Sequence, residues 1–231
     1  MTANRGATSG GPATPSRSVG KVRTRPRVED RVHRLIVPIL SVLLVAAACG
    51  SEIDLADGPL IIENQGGELE GHTPRGFAGS GTGLFAGDNL NPNFPNGEGI
   101  QILLTFELPE GAPSEITTAT LASGVMEVRG NPFEALGSLQ AEPVTYETFG
   151  PPLFELAADG PAVTCERFGE TGITCDVSEA AAAALADNPE RVQFRLQFEG
   201  LSDSDNEQDL ALFFFTDANT NEPGIFTLQL S

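Results

Sequence analysis

The sequence predicts an all-β fold, a jelly-roll-like β-sandwich over residues 84–231 with one short helix near 178–187. Three observations predict it. Short apolar runs alternate with turn-forming residues from Leu84 to the end of the chain. One of them, Arg191–Phe198, alternates strictly between apolar and polar side chains. The repeated amphipathic helices that would cover a parallel sheet are missing from the pattern.

Each element follows from its own residues. Ile100–Leu108 reads as a strand, Ile116–Leu121 is rich in β-branched residues, and Val125–Val128 and Leu139–Tyr146 are further strand candidates. In Arg191–Phe198, Val192, Phe194, Leu196 and Phe198 face the core, while Arg191, Gln193, Arg195 and Gln197 are expected on a solvated outer face. Leu210–Phe215 is continuously apolar, which predicts a central strand covered on both sides. Ile225–Leu230 alternates again and closes the fold. Pro109, Gly111, Gly130, Pro132, Gly150, Pro151, Pro152, Gly160 and Pro161 punctuate these runs as turns. The helix is expected to start at Ser178, whose hydroxyl can accept from free backbone N–H groups. Glu179 suits the positive helix start, Ala180–Ala184 favours helix, and Asn188-Pro189 ends it.

Charge divides the chain sharply. The first 48 of its 231 residues hold eight of the 13 basic residues; positions 49–231 hold five arginines, no lysine and 30 acids, a formal charge of −25. Such a surface repels phosphate backbones, so nucleic-acid binding is excluded. It suits a salt-rich habitat, divalent cations at the surface, or simple solubility.

Arg31 and Arg34 precede a mostly apolar run, Leu35–Ala48, and then Cys49-Gly50-Ser51. This is the layout of an export signal over residues 1–48, and it is short of the roughly 20 residues a membrane span requires. Ala46-Ala47-Ala48-Cys49 resembles the bacterial lipobox. That resemblance implies a diacylglycerol on the Cys49 sulfur and cleavage before it, hence an extracytoplasmic protein anchored to the cell membrane or outer membrane. Residues 49–83, rich in Gly, Glu, Asp and Pro, are expected to be a flexible tether. His72 falls there with no second histidine or free cysteine to share a metal or a proton.

Cys165 and Cys175 flank a hairpin whose turn is marked by Gly169 and Gly172. With a loop centred on Glu170 the two cysteines lie opposite each other and are expected to form a disulfide, which an oxidising exterior favours. Three cysteines less the lipidated one leave an even pair.

Two acidic loops offer hard oxygen ligands. Asp203, Asp205, Glu207 and Asp209 stand on alternate residues, and Asp217, Asn219 and Asn221 occupy the first, third and fifth positions of a calcium-like loop. The EF-hand pattern stops there: Glu222 stands where glycine is needed. Each loop reads either as a solvated turn or as a structural calcium site. One histidine in the expected tether and two paired cysteines cannot build a Ser-His-Asp or Cys-His set. Two carboxylates suffice for glycoside hydrolysis, but with no tryptophan and one tyrosine, Tyr146, sugar-stacking platforms are few.

Phe85-Ala-Gly-Asp88, Leu104-Thr-Phe-Glu-Leu-Pro109 and Ile116-Thr-Thr-Ala-Thr-Leu121 resemble the opening of the DNRLRE-type jelly-roll modules of extracellular bacterial proteins. Gly130-Asn-Pro-Phe133, Leu136-Gly-Ser-Leu139, Cys175-Asp-Val177 and Val192–Phe198 follow in comparable order. The resemblance spans residues 84–231 and implies a jelly roll with a carbohydrate-binding or surface-structural role. Its common pattern includes aromatic ring faces and lysines that are lacking here. The expectation is therefore a lipid-anchored surface β-sandwich with a non-catalytic binding or structural role, its partner a polysaccharide or an envelope protein. The alternatives are a carboxylate-based glycan-degrading enzyme and an accessory subunit of an exported complex.

Overall fold

The computed structural model of the protein describes residues 58–64, 69–75, 78–79, 83–88, 99–113, 115–124, 126–168, 172–214 and 226–231. In chain order the strands are β1 (Leu60–Glu63), β2 (Gly71–Pro74), β3 (Gly83–Asp88), β4 (Ile100–Glu107), β5 (Ala119–Ser123), β6 (Met126–Arg129), β7 (Leu139–Pro143), β8 (Val163–Thr164), β9 (Glu166–Phe168), β10 (Gly172–Asp176), β11 (Arg191–Phe198), β12 (Asp209–Phe214) and β13 (Phe226–Leu230). Helices α1 (Pro132–Ala135) and α2 (Ser178–Asp187) and a 3-10 turn, Pro151–Glu155, lie between them.

The strands form an all-β sandwich. The smaller sheet runs β1-β13-β5-β10-β9; the larger runs β6-β12-β3-β4-β11-β7-β8, with β2 also against β4. The chain changes sheet at β1 to β2, β4 to β5, β5 to β6, β8 to β9, β10 to β11 and β12 to β13. The strand pairs are antiparallel, and the apolar positions of both sheets face one interior. From the larger sheet, Ile102, Leu104, Phe106, Phe194, Leu196 and Phe213 enter that core; from the smaller, Leu121, Ile173, Phe226, Leu228 and Leu230. Each fully buried side chain of this kind contributes roughly 1.5–3 kcal/mol. The Phe213–Phe226 ring contact joins the two layers, and Phe106 and Phe194 meet edge to face within the larger sheet.

Helix α2 closes one end of the core with Ala181 and Leu185, both buried. Its start differs from expectation. Val177 holds the cap position, and Ser178 is already helical. The Ser178 hydroxyl accepts from the Ala119 N–H at 2.9 Å, and it is the Asp176 carboxylate that takes the Ser178 N–H, at 3.2 Å, and its hydroxyl, at 2.5 Å. Those hydrogen bonds hold the Asp176 carboxyl below its ordinary range. At the other end Asn188 is extended, as a residue before proline prefers.

The expectation of a flexible tether over residues 49–83 is corrected for the part the structure describes. Strand β1 pairs along its length with β13, from Leu60↔Leu230 to Glu63↔Thr227. Strand β2 pairs with β4, from Gly71↔Leu103 to Pro74↔Ile100. Ile62 enters the core. Asn64 extends the first pairing, its N–H donating to the Phe226 carbonyl and its Oδ1 accepting from the Phe226 N–H. Gly-rich composition suggested disorder, but ladder hydrogen bonds use the backbone and need no apolar side chain. At Gly71 a side chain is impossible: a Cβ would lie 2.4 Å from both the Gly79 carbonyl oxygen and the Phe149 ring.

The larger sheet is covered on its second face as well. Leu103 packs there with Val144, Tyr146 and Leu153, and Ile100 packs with Leu210 and Leu212. Strand β12 is thus interior and apolar on both sides, as its continuous run predicts.

Candidate functional site

The acidic loop before β12 is the first place where the structure gathers groups named from sequence. Asp203, Asp205 and Asp209 each bring a carboxylate oxygen within 4.8 Å of the others. The loop curls because side chains capture backbone N–H groups: Ser204 N–H donates to Ser202 Oγ, Asp205 N–H to Asp203 Oδ1, and Glu207 N–H to Asp205 Oδ1. Ser204 and Asn206 take left-handed backbone angles, φ 64° and 68°. Glu207 does not join the three. Asp217, Asn219 and Asn221 lie outside the described residues.

One further acid sits here that the sequence pattern did not single out. Asp88, at the end of β3, is the direct cross-strand partner of Asp209, and both are buried. Asp209 Oδ1 accepts from the Asn131 N–H at 2.5 Å, and Ser202 Oγ donates to Asp88 Oδ2. Gly87 leaves room for this approach: with φ at +129°, a Cβ would fall 2.0 Å from the Asp209 carbonyl oxygen.

Cys165 and Cys175 are bonded, with their Cα atoms 4.3 Å apart. The β9–β10 register, Glu166↔Thr174, places them opposite each other as the spacing predicts. Cys165 is the corner where the chain leaves the edge of the larger sheet, β8, and becomes the edge of the smaller, β9. The bridge therefore pins that corner to β10. It is what an extracytoplasmic setting favours. Among the described residues no helix is long and apolar enough to cross a membrane. Cys49 and the segment expected to direct export, residues 1–48, lie outside the described residues.

The polar face of β11 is not solvated, and that expectation is corrected. Gln193 and Arg195 are buried, at 5% and 6% exposure, because the segment after β7 folds over them. Arg195 donates to Glu142 through Nε, at 2.8 Å, and through Nη2, and to the Leu156 carbonyl at 2.6 Å. Gln197 donates to the other Glu142 oxygen at 3.0 Å and accepts from Gln101 at 2.8 Å. Arg191 is partly buried between Glu107, at 3.6 Å, and Glu147, at 3.9 Å.

Beside this lies a second buried set. Glu70 accepts from Asn64 Nδ2 and from the Thr105 N–H, at 2.7 and 2.8 Å. The Thr105 hydroxyl meets the Tyr146 hydroxyl at 3.0 Å and accepts from Gln193 at 3.0 Å; Tyr146 in turn donates to the Leu69 carbonyl. Burial pushes the Tyr146 hydroxyl above the usual phenol range. His72, in β2, is buried against Phe85 with ring centroids 3.7 Å apart, and its Nδ1 has no hydrogen-bond partner among the described residues. Burial pulls its pKa down to about 4, so it is neutral at pH 7. Sequence spacing does not reveal these sets, because apart from Asn64 and Glu70 the partners come from distant segments.

Two grooves flank the C-terminal end of α2. One, of about 650 Å³, runs between α2 and the β7–β8 side and is lined by Val144, Val163, Ala180 and Ala184 with Asp159, Glu179 and Asp187 around them. The other, of about 780 Å³, is lined by Glu107, Glu110, Glu147 and Glu190. Asn188 and Arg191 line both, so the two are neighbours.

The sequence matches no protein-family model, and it matches no curated protein.

Proposed function

We propose that the protein is an extracytoplasmic β-sandwich, held at a membrane surface by lipid on Cys49, that binds or builds rather than catalyses. Its contact is a polysaccharide or another component of the cell envelope. The observation that carries the reading is the Cys165–Cys175 bridge at the corner between the sheets. A bridge of this kind persists where thiols are not held reduced, and it agrees with the export signal and lipobox-like segment of the sequence.

The state of the polar residues supports a binding or structural role. His72 is held neutral against Phe85, Tyr146 is held protonated, and Arg195 is tied to Glu142. These are the side-chain types on which acid–base chemistry draws, and the fold uses them to seal its second layer. The convergence of Asp203, Asp205 and Asp209 supports calcium as a structural ion at the β12 entrance.

Metabolic labelling with an alkyne fatty acid tests the anchor. Wild type is expected to carry the label and to sediment with membranes, while Cys49→Ser is expected to be unlabelled. An unlabelled wild-type protein would end the anchoring proposal. Cosedimentation with purified envelope polysaccharide tests the contact, and recovery of the protein in the supernatant at every loading would remove it.

A further inference from the structure

We infer that the two neighbouring grooves around the C-terminal end of α2 are a docking site for an extended polypeptide segment bearing lysine or arginine beside apolar residues. The inference rests on the reading of the protein as a surface binding module and names the chemistry of one partner.

Charge is the first argument. The two grooves bring together Asp159, Glu179, Asp187, Glu107, Glu110, Glu147 and Glu190, against the single cation Arg191. Arg191 already lies between Glu107 and Glu147. No other cation of the exported part is available to balance them. Arg75 pairs with Glu155, Arg129 with Glu127 and Arg195 with Glu142, while Arg167 lies over the Phe133 ring at 4.5 Å. The exported part has no lysine. The helix adds to the imbalance. Its C-terminal carbonyls carry partial negative charge and favour a cation, yet its last turn has no basic residue and ends in Asp187.

Shape is the second. Beneath the carboxylates, the first groove has an apolar floor of Val144, Val163, Ala180 and Ala184. A simple inorganic cation or a polyamine would leave that floor wet. An apolar side chain on the floor with its basic neighbour among the carboxylates satisfies both surfaces. The grooves adjoin at Asn188 and Arg191, which suits a chain lying across both rather than a compact ligand in one.

The test uses the purified full chain and a fluorescein-labelled octapeptide of alternating valine and lysine, with a valine–glutamate octapeptide as the counterpart. Anisotropy is read at about 0.15 M salt, where screening over ~8 Å suppresses long-range attraction. The lysine peptide is expected to bind saturably and the glutamate peptide not at all. Glu179→Gln and Ala183→Arg, the second at another lining residue of the first groove, each shift the net charge there by +1 and are expected to weaken binding at least tenfold. Glu127→Gln makes the same shift on β6, at the opposite edge of the larger sheet, and is expected to change affinity less than twofold. Thermal unfolding of each variant checks that it is folded.

Equal weakening by all three variants would show general attraction to an acidic surface and overturn the proposal. Equal binding of both peptides, or preference for glutamate, would overturn it as well. The fatty-acid label on Cys49 is read separately, so a failed groove leaves the anchoring proposal untouched, and the reverse.

Discussion

Asp88 and Asp209 are direct partners across the β3–β12 ladder, and each is 4% exposed. Like charges placed opposite each other destabilise a ladder, and burial adds to the cost. Asp203 and Asp205 bring two more carboxylates to the same end of the strand. Removing one charge or adding a divalent cation relieves the repulsion. Calcium is therefore expected to raise the unfolding midpoint by several degrees, saturably, beyond the effect of sodium chloride at matched ionic strength. Asp203→Asn with Asp205→Asn is expected to abolish that gain. Differential scanning fluorimetry with calcium and with excess chelator checks it, and an unchanged midpoint would retire the calcium proposal.

His72 makes stability depend on pH in a definite direction. In the unfolded chain its pKa is near the ordinary 6.5; in the fold it is about 4. The unfolded state therefore binds the proton first as pH falls, and stability declines from about pH 6.5 to pH 4 and then levels off. The full difference amounts to at most about 3 kcal/mol. His72→Leu keeps the apolar contact with Phe85 and loses the titration. Urea unfolding at pH 7 and pH 4.5 is expected to show a smaller loss for the variant than for wild type, and equal losses would refute the role of His72.

The buried Arg195–Glu142 pair is expected to be costly to break and cheap to replace. Arg195→Met alone strands the Glu142 carboxylate under the second layer and is expected to cost about 3–5 kcal/mol. The double change Arg195→Met with Glu142→Met removes both charges and is expected to recover most of that loss. A double-mutant cycle in urea gives the coupling directly.

Reduction of the Cys165–Cys175 bridge, or Cys165→Ala with Cys175→Ala, is expected to cost about 2–3 kcal/mol. Chemical unfolding with and without a thiol reductant measures it. The reductant is expected to leave the double variant unchanged.

How legible the molecule is in its sequence depends on where each partner lies. Val192, Phe194, Leu196 and Phe198 announce an inward face through their own spacing, and they fill the core. The cysteine pair is equally local, its register set by a single hairpin. Gln193 and Arg195 look solvated because polarity is all that sequence shows. What buries them is Glu142, Tyr146 and Leu156, brought in from 53, 47 and 39 residues away. Strands β1 and β2 are hidden for a related reason. Gly71-His-Thr-Pro74 has the composition of a turn, and it becomes a strand because β4 offers it a free edge. Of the acidic loops, alternate spacing points to Asp203, Asp205, Glu207 and Asp209, and the structure gathers all but Glu207; Asp88 is invisible until β3 lies beside β12.

Under the proposed lipid anchor on Cys49, the pairing of β1 with β13 also sets a limit on how far the domain would stand from the membrane. A free segment from Cys49 to residue 83 has a contour of roughly 120 Å, taken at about 3.5 Å per residue. With Leu60 locked into the smaller sheet, the contour from Cys49 shrinks to roughly 40 Å. If Cys49 carries the proposed lipid, a domain on so short a leash would sample only the layer next to the lipid headgroups. A pull on it from outside would then reach the anchor through β1, which is held by the last strand, β13.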